Sequence, residues 1–395
     1  MSIKYTVGDL LTLKVEKIVP RGYGLAFAEK LTVFVPLSAP GDVVTARITQ
    51  LKKRTAFAEI VEIVTPGPER VDPPCPYFGT CGGCNFQQLD YQAQLKSKVD
   101  IISDCLLRIG KLDPVPDITI IPSPLQYDYR SRVRWQLDSL GRRFGYYRRD
   151  SNEVVDVAMC PVLSSPLKET LHNIRANLEW SKFLDDGEVA AASGDNDIVS
   201  IRSSVGVEPS AEISHTVSGE TYAFSAETFF QANHLLLPDL IECATEGATG
   251  NTALDLYSGV GLFSIPLARK IPNVISVEGD PMAVEFAKKN VKNADLSNLR
   301  VLRDSVGRFL AQKQWAADFV LIDPPRSGAE REVVEAIISI GPLQISYVSC
   351  EPSILARDLR TLADGGYEIE SITALDMFPQ THHVETVVRL IKRGK

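Results

Sequence analysis

One apolar segment of the sequence ends on a cysteine that could act as a nucleophile. ISYVSC consists of strand-forming residues, and Cys350 closes it. ADFVLIDPPR ends a second such segment in the rigid, polar turn 323–326. DMFPQTHHVET brings two histidines, His382 and His383, and the carboxylate of Glu385 to the start of a third. A thiol and a carboxylate on one rim would form a nucleophile–base pair.

A glycine-bearing turn and two acidic residues predict a nucleotide site beside this rim. LDLYSGVGLFS leaves an apolar segment through Gly259 and Gly261, which permit a tight turn against a ligand. Glu278 ends the next segment, where a carboxylate can accept both hydroxyls of a ribose. Asp304, in VLRDS, would then lie beside the adenine. NAD and S-adenosyl-L-methionine (SAM) both carry the adenosine that these residues would bind.

The elements that must position these residues alternate along the second half of the chain. The helical segments PMAVEFAKKNVKNA and EREVVEAIIS lie between strand-like segments. The latter are TALDLYSG, NVISVEGD, ADFVLIDPP, LQISYVSC and VETVVRLIKR. This alternation predicts a doubly wound α/β sheet, which binds ligands at the carboxyl ends of its strands.

The amino-terminal 66 residues have a different pattern. Five short runs alternate apolar and polar positions between turns: LLTLKVEKIV, GLAFAEK, LTVFVPL, DVVTARITQ and AFAEIVEIV. Such spacing predicts a small β-barrel. TPGPERVDPPCP, which follows, is typical of a linker because its prolines cannot sustain regular structure.

Composition limits the class of protein. The 395 residues are 44% hydrophobic and 23% charged, typical of a soluble globular protein of two or three domains. No signal peptide or long apolar run is present, so we expect a cytoplasmic protein that does not bind membranes. Seven cysteines in a reducing compartment argue against a disulfide framework.

A net charge of −8 means that any nucleic-acid contact must be local, since nucleic-acid binders are usually basic. Residues 127–149 hold seven arginines and six aromatic residues against two aspartates. Arginines bind phosphate, and both residue types stack on unpaired bases. The predicted RNA contacts are Arg130, Arg132, Arg142, Arg143, Arg148 and Arg149. Alternatively, the segment is a hairpin with its aromatic rings in a core; Lys52, Lys53 and Arg54 in the barrel are a second candidate contact.

Six ordered segments together resemble the RNA 5-methyluridine (uracil-C5) methyltransferase family. They are FSAETFFQAN, DLYSGVGLFSIPLA, VEGD, DPPRSG, YVSCEPSILARDL and DMFPQTHHVETVVRL. Residues 1–66 resemble a TRAM domain, and CPYFGTCGGCNFQQLDYQAQLKSK resembles the family's iron–sulfur segment. The resemblance covers nearly the whole chain, and only residues 165–220, approximately, contain none of its segments. The resemblance implies a TRAM-like β-barrel at 1–66, a central iron–sulfur and RNA-binding α+β region at 67–235, and a Rossmann-like class I SAM methyltransferase domain at 236–395.

The resemblance also implies roles for individual residues. Cys350 matches the nucleophile and Glu385 the base. The positions that bind SAM in the family are matched by Gln231, Tyr257, Glu278 and Asp323, to which the strand-end argument adds Asp304. The four ligands of a 4Fe-4S cluster are matched by Cys75, Cys81, Cys84 and Cys160. One departure is Glu351, where the family usually has asparagine; a carboxylate there would disfavour the thiolate.

The ligand types favour iron over zinc. Cys81 and Cys84 form the only C-x-x-C unit, and no histidine precedes His172. Zinc sites usually pair two such units or add histidine, whereas all-thiolate ligation suits an iron–sulfur cluster. Cys105, a rival fourth ligand, lies in SDCLLRIG, where we expect a core residue.

The same motifs exclude neighbouring reactions. Arg326 stands where amino-methyltransferases carry an aromatic residue, and no cysteine in 317–330 could serve as the second cysteine of RNA cytosine-C5 enzymes. The resemblance therefore implies a SAM-dependent enzyme, expected to be monomeric, that methylates C5 of a uridine in RNA, and it favours 23S ribosomal RNA as the substrate. The alternatives are a tRNA T-loop uracil-C5 methyltransferase, an NAD-linked oxidoreductase, and a non-catalytic iron–sulfur RNA-binding protein.

Overall fold

The amino-terminal part of the chain is a closed five-stranded barrel. A computed structural model describes residues 5–182, 185–204, 212–312 and 315–394. The barrel strands are β1 (Leu10–Val19), β2 (Tyr23–Ala28), β3 (Leu31–Pro36), β4 (Val43–Lys52) and β5 (Thr55–Thr65), in the order β1-β2-β3-β5-β4. Their alternating apolar side chains fill the barrel interior. The five predicted strands are thereby confirmed.

The middle of the chain forms an antiparallel sheet preceded by a long helix. The helix α1 (Tyr91–Cys105) continues into a π-helical turn, and the short strand β6 (Ile118–Ile121) follows it. The next elements are β7 (Arg132–Asp138), β8 (Arg143–Tyr147), β9 (Val154–Asp156), α2 (Ser165–Asn177), β10 (Gly187–Ser193) and β11 (Val199–Ser203). The sheet order is β11-β10-β7-β8-β9. The arginine-rich segment is thus a hairpin, with Trp135 and Phe144 buried in its core.

A third unit is the predicted α/β sheet. It is introduced by the hairpin β12 (Ile213–Val217) and β13 (Glu220–Phe224). The helices are α3 (Leu237–Thr245), α4 (Ser264–Lys270), α5 (Pro281–Asn293), α6 (Val306–Ala311), α7 (Arg331–Ile340) and α8 (Pro352–Asp364). The strands are β14 (Thr252–Leu256), β15 (Asn273–Glu278), β16 (Leu299–Arg303), β17 (Phe319–Ile322), β18 (Gln344–Ser349), β19 (Tyr367–Leu375) and β20 (Glu385–Lys392).

The strand order β16-β15-β14-β17-β18-β20-β19-β6 explains where polar residues gather. The first five strands run parallel, so their carboxyl ends share one edge. β20 lies antiparallel between β18 and β19, so its amino-terminal end reaches that same edge. Helices cover both faces, with α1, α7 and α8 on one apolar cluster and α3, α4 and α5 on the other.

Three strands of this sheet were not predicted. β16 and β19 carry polar residues at many positions, and only part of each strand is buried. β6 belongs by sequence to the middle region, yet it pairs in parallel with β19 at the sheet edge. The segment for which nothing was predicted contains α2, β10 and β11. Among the described residues, no helix is long and apolar enough to cross a membrane.

A fully buried ion pair connects α1 to this sheet. The Lys98 ammonium contacts the carboxylate of Asp376, which follows β19, and both side chains are inaccessible to solvent. Lys98 Nζ also donates to the Phe378 carbonyl at 3.1 Å. Burial lowers the pKa of Lys98, and the neighbouring carboxylate opposes that shift. Removing one member of such a pair leaves the other charge buried and uncompensated.

We therefore expect Lys98→Met to destabilise the protein by about 3–5 kcal/mol, measured by urea unfolding followed by circular dichroism. The double variant Lys98→Met/Asp376→Leu should recover most of that loss, because neither charge remains. Lys96→Ala, on the exposed side of the same helix, should change the free energy of unfolding by less than about 0.5 kcal/mol. A Lys98→Met protein as stable as the parent would contradict the role of the pair.

Candidate active site

Strand register brings the predicted nucleophile and base together. Cys350 directly follows β18, and Glu385 begins β20. Ser349 pairs with Thr386 across these antiparallel strands. One residue further along β18 and one residue back along β20, Cys350 therefore lies beside Glu385. Glu385 is buried and only 3% exposed. The structure thus brings the thiol and the carboxyl to one point of the sheet edge.

Burial raises the pKa of both groups in the free protein. It raises the pKa of Cys350 to about 12, with Glu385 adding to the shift and Arg326 opposing it. Burial also raises the pKa of Glu385 well above its usual range, assisted by Asp323 and again opposed by Arg326. Glu351 is among the smaller contributors to the Cys350 shift, and its Oε1 accepts a 2.7 Å hydrogen bond from Ser353 Oγ.

Asp323 connects this pair to the predicted nucleotide site. It follows β17, the strand between β14 and β18, and its N–H donates to the Leu256 carbonyl at 3.2 Å. Burial, with help from Asp255 and Glu278, raises the pKa of Asp323 to about 8. Its carboxyl is therefore largely neutral at pH 7, and it can donate a hydrogen bond.

A pocket at the end of β14, here called the nucleotide pocket, contains three of the predicted residues. Gln231, Tyr257 and Asp323 line it together with the glycine turn at Gly259. Tyr257 has a φ of 63°, a left-handed conformation that bulky residues rarely adopt. Such strain is typical of binding turns, where surrounding contacts hold it.

Glu278 and Asp304 differ in their relation to the nucleotide pocket. The Glu278 carboxylate accepts from the N–H groups of Gly259 at 2.8 Å and Asp280 at 2.7 Å, so it braces the glycine turn. Asp304 instead contacts Arg308 and accepts from Gln312 Nε2 at 2.8 Å, both beyond the pocket lining. A role for Asp304 in binding adenine stays a prediction.

Gln231 lies at the meeting point of two cavities. It is 3% exposed, and its Oε1 has no hydrogen-bond partner among the described residues. Besides the nucleotide pocket it lines an open groove, here called the arginine groove. That groove is lined by Arg130, Arg132, Arg134, Arg326, Phe229, Phe378, Thr381 and His383, among others.

The six predicted RNA arginines do not form one surface. Arg132 donates to the carbonyls of Ala226 and Thr228, and thereby supports the segment that carries Gln231. Arg143 is paired with Glu153, and Arg142 occupies the tip of the hairpin. Arg148 and Arg149 line a separate cavity between barrel and hairpin, the barrel cavity, which also contains Arg21 and Arg134.

The fourth predicted set, the cysteines, surrounds a single small cavity. This cysteine cavity is lined by Cys75, Cys81, Cys84 and Cys160, with Arg130 and Tyr146 beside them. Burial raises the pKa of Cys81 to about 11 and that of Cys84 to about 12, with Arg130 opposing both shifts. Among the residues described, no group of three or more metal-binding side chains has the arrangement of a formed metal site. Cys105 is 3% exposed in the apolar core, as predicted.

Sequence reasoning missed the residues that hold the loop between β19 and β20. Gln94 and Lys98 of α1 and Asn85 before it all contact this loop, here called the β19–β20 loop (residues 376–384). Gln94 and Lys98 are four residues apart, so they share one face of the helix, and both are buried. In the sequence, the available signal was that Gln94 and Lys98 fall at helical spacing with the apolar residues of α1, on the side of the helix expected to face the core.

Two family models match the chain. The tRNA (uracil-5-)-methyltransferase model matches residues 212–393, and the TRAM domain model matches residues 4–61. The first range includes the α/β sheet strands β14–β20, and the second covers most of the barrel.

Full-length relatives agree with these models. An Aquifex aeolicus protein named as an uncharacterized RNA methyltransferase is 33% identical, over 96% of this chain and 98% of its own. The 23S rRNA (uracil(1939)-C(5))-methyltransferase RlmD of Pectobacterium atrosepticum is 31% identical, over 95% of this chain and 92% of its own.

A solved structure has the same fold. It is the Pyrococcus abyssi tRNA (uracil-54, C5)-methyltransferase in complex with S-adenosyl-L-homocysteine, which superposes with a TM-score of 0.76 at 26% identity. The match covers 96% of this chain and all of the other. This chain therefore belongs to the SAM-dependent RNA (uracil-C5)-methyltransferase family and begins with a TRAM domain.

Proposed function

We propose that the protein methylates C5 of a uridine in 23S ribosomal RNA, with Cys350 as nucleophile and Glu385 as base. The observation that carries this proposal is the β18–β20 register, which sets a half-buried thiol beside a buried carboxyl at the edge of a methyltransferase sheet. Relatives named as 23S rRNA methyltransferases, 29–31% identical over 95% of the chain, favour ribosomal RNA. Methylation of tRNA is the second candidate, because the structural neighbour acts on tRNA uracil-54.

The chemistry of uracil explains the need for both groups. C5 of uracil is a weak nucleophile until a thiolate adds to C6 and moves electron density onto C5 and O4. C5 can then form a bond to the methyl group as that group's bond to the sulfonium sulfur of SAM breaks, with S-adenosyl-L-homocysteine as the leaving group. Glu385 accepts the C5 proton, the electron pair re-forms the C5–C6 double bond, and the bond from C6 to Cys350 Sγ breaks. A carboxylate whose pKa is raised by burial is a stronger proton acceptor than an exposed one.

The nucleotide pocket fits SAM. Gln231 offers an unpartnered buried oxygen, and the glycine turn and the Glu278 carboxylate lie at the strand ends where an adenosine would bind. When bound, SAM supplies an electrophilic methyl group and a positive charge. Beside such a charge the Cys350 thiol ionises more readily than in the free protein. Asp323, held neutral by burial, can donate a hydrogen bond without placing another negative charge near the thiolate.

The cysteine cavity fits a 4Fe-4S cluster. Its four thiols are soft ligands, their burial disfavours free thiolates, and a guanidinium lies next to them to offset the negative charge that a ligated cluster would bring. We infer that Cys75, Cys81, Cys84 and Cys160 would hold the cluster. Its contribution there would be a structural cross-link between the segment before α1 and the residues after β9.

RNA would reach the site across the barrel cavity and the arginine groove. Arg148 and Arg149 face the barrel residue Arg21 across the first of these, and Arg134 lines both. Phe229, 63% exposed at the groove, offers a ring on which an unstacked base could lie. The target uridine must leave its stack to approach Cys350, as in other enzymes that act on a base.

We expect the purified protein to transfer label from SAM to an unmodified 23S rRNA transcript at least tenfold faster than to a tRNA transcript. Mass spectrometry should identify the product as 5-methyluridine. Cys350→Ala should abolish transfer while SAM binding, measured by calorimetry, stays unchanged. Faster labelling of tRNA would favour the second candidate, and turnover by Cys350→Ala would refute the nucleophile.

Glu385→Gln should permit addition and methyl transfer but block loss of the C5 proton. A protein–RNA adduct that survives denaturing gel electrophoresis should therefore accumulate, with turnover reduced by about 10²–10⁴-fold. The double variant Glu385→Gln/Cys350→Ala should form no adduct. Normal turnover by Glu385→Gln would assign the base elsewhere, with His382 and His383 the neighbouring candidates.

Anaerobically purified protein should be brown and contain about four irons per chain. Replacing any one of Cys75, Cys81, Cys84 or Cys160 by serine should remove the iron and weaken RNA binding more than SAM binding. Cys105→Ala is the matched control, and it should keep its iron. Zinc in place of iron would contradict the cluster, and iron lost from Cys105→Ala but kept in Cys160→Ser would contradict the ligand set.

A further inference from the structure

The β19–β20 loop contains a residue in an unfavourable backbone conformation. Gln380 has a φ of 69°, in the left-handed region that a side chain bearing a Cβ rarely adopts. Such a conformation costs on the order of 1–3 kcal/mol and persists only where the surroundings impose it. The loop ends at Glu385, and its residues Phe378, Thr381 and His383 line the arginine groove. Whatever holds Gln380 therefore also shapes one wall of the site.

Gln380 is held by the segment that follows the cysteines. The amide of Gln94 makes two hydrogen bonds to it: Gln94 Oε1 accepts from the Gln380 N–H at 2.9 Å, and Gln94 Nε2 donates to Gln380 Oε1 at 3.0 Å. The Gln380 carbonyl accepts from the N–H groups of Asn85 at 3.1 Å and Phe86 at 3.0 Å. Gln94 and Gln380 are each 1% exposed, so water does not compete for these bonds.

A second pair of bonds holds the loop two residues later. Asn85 Oδ1 accepts from the His382 N–H at 2.9 Å, and Asn85 Nδ2 lies 2.8 Å from His382 Nδ1. Burial, with nearby cations, lowers the pKa of His382 to about 4, so its ring is neutral at pH 7 and Nδ1 can accept from Asn85. Tyr129 adds a hydrogen bond from its hydroxyl to the Pro379 carbonyl at 2.9 Å.

We propose that Gln94 and Asn85 are positioning residues that hold the β19–β20 loop in its strained form, so that Glu385 faces Cys350 and His383 faces the groove. Neither residue touches the reacting atoms. The proposal rests on the proposed function, in which Glu385 takes the C5 proton. Without these bonds Gln380 relaxes to a negative φ, and the loop shifts away from the thiol. Proton removal from C5 is then the step that slows.

The test compares Gln94→Ala and Asn85→Ala with the parent protein in methyl transfer to the 23S rRNA transcript. We expect kcat to fall at least tenfold in each, while the KM for RNA and the SAM affinity stay within about twofold of the parent. A protein–RNA adduct should accumulate during turnover. Lys96→Ala, an exposed lysine on the same helix, is the control and should behave as the parent.

A Gln380→Gly substitution shows whether the loss of kcat in Gln94→Ala comes from the position of the loop or from a general loss of structure. Glycine adopts a positive φ without the steric cost, so Gln94→Ala/Gln380→Gly should recover at least threefold in kcat over Gln94→Ala. The Asn85 side chain is partly exposed, so Asn85→Ala carries the test if Gln94→Ala does not fold.

Three outcomes would overturn the proposal: a normal kcat in both folded variants, a loss confined to KM, or no recovery with glycine. Glu385→Gln is run beside them as the test of the base. If it forms no adduct while Gln94→Ala loses kcat and glycine restores it, the base is wrong and the positioning role stands. If Glu385→Gln traps the adduct and the Gln94 and Asn85 variants are normal, only the positioning role fails.

Discussion

The proposed active site depends on gathering several acidic groups at one partly buried point of the sheet edge. Cys350, Glu385 and Asp323 all have a raised pKa, and in each case desolvation is the largest cause. Ionising all three at once would place like charges side by side in a low dielectric, and this opposes the charged form of each. The positive charge of Arg326 opposes the rise in pKa at Cys350 and at Glu385. The arrangement makes an active thiolate conditional on a bound positive charge.

The central region contributes to this site as well as to RNA binding. Its helix α1 joins the β19–β20 loop through a buried ion pair and paired amides, and its strand β6 completes the edge of the catalytic sheet. Cys84, which lines the cysteine cavity, immediately precedes Asn85, which contacts the β19–β20 loop. A change at the cysteines is therefore transmitted to the base through only a few residues of backbone. If the proposed cluster is bound, this connectivity would give it a physical route to the proposed base that needs no redox step.

Sequence reasoning succeeded where one residue type at a strand end implies a place on the sheet edge. Cys350 and Glu385 were predicted to share a rim, and the antiparallel pairing of β20 with β18 accounts for it. It failed where a contact joins distant segments. β6 has only four residues, too few to indicate its partner strand, and Gln94 contacts Gln380, which lies 286 residues further along the chain. Arg132 shows a third limit, since a cationic side chain can serve backbone carbonyls instead of phosphates.

The position of β20 has a consequence for how the enzyme is made. β20 lies between β18 and β19, although it follows both along the chain. During synthesis, β18 and β19 emerge first and cannot pair with each other in their final places, since a strand still to be made must separate them. The thiol is therefore complete before its partner carboxyl exists. A nascent chain halted before residue 385 contains Cys350 and much of the nucleotide pocket but lacks Glu385, the base of the proposed mechanism, so on that mechanism an incomplete product of translation would not complete methyl transfer.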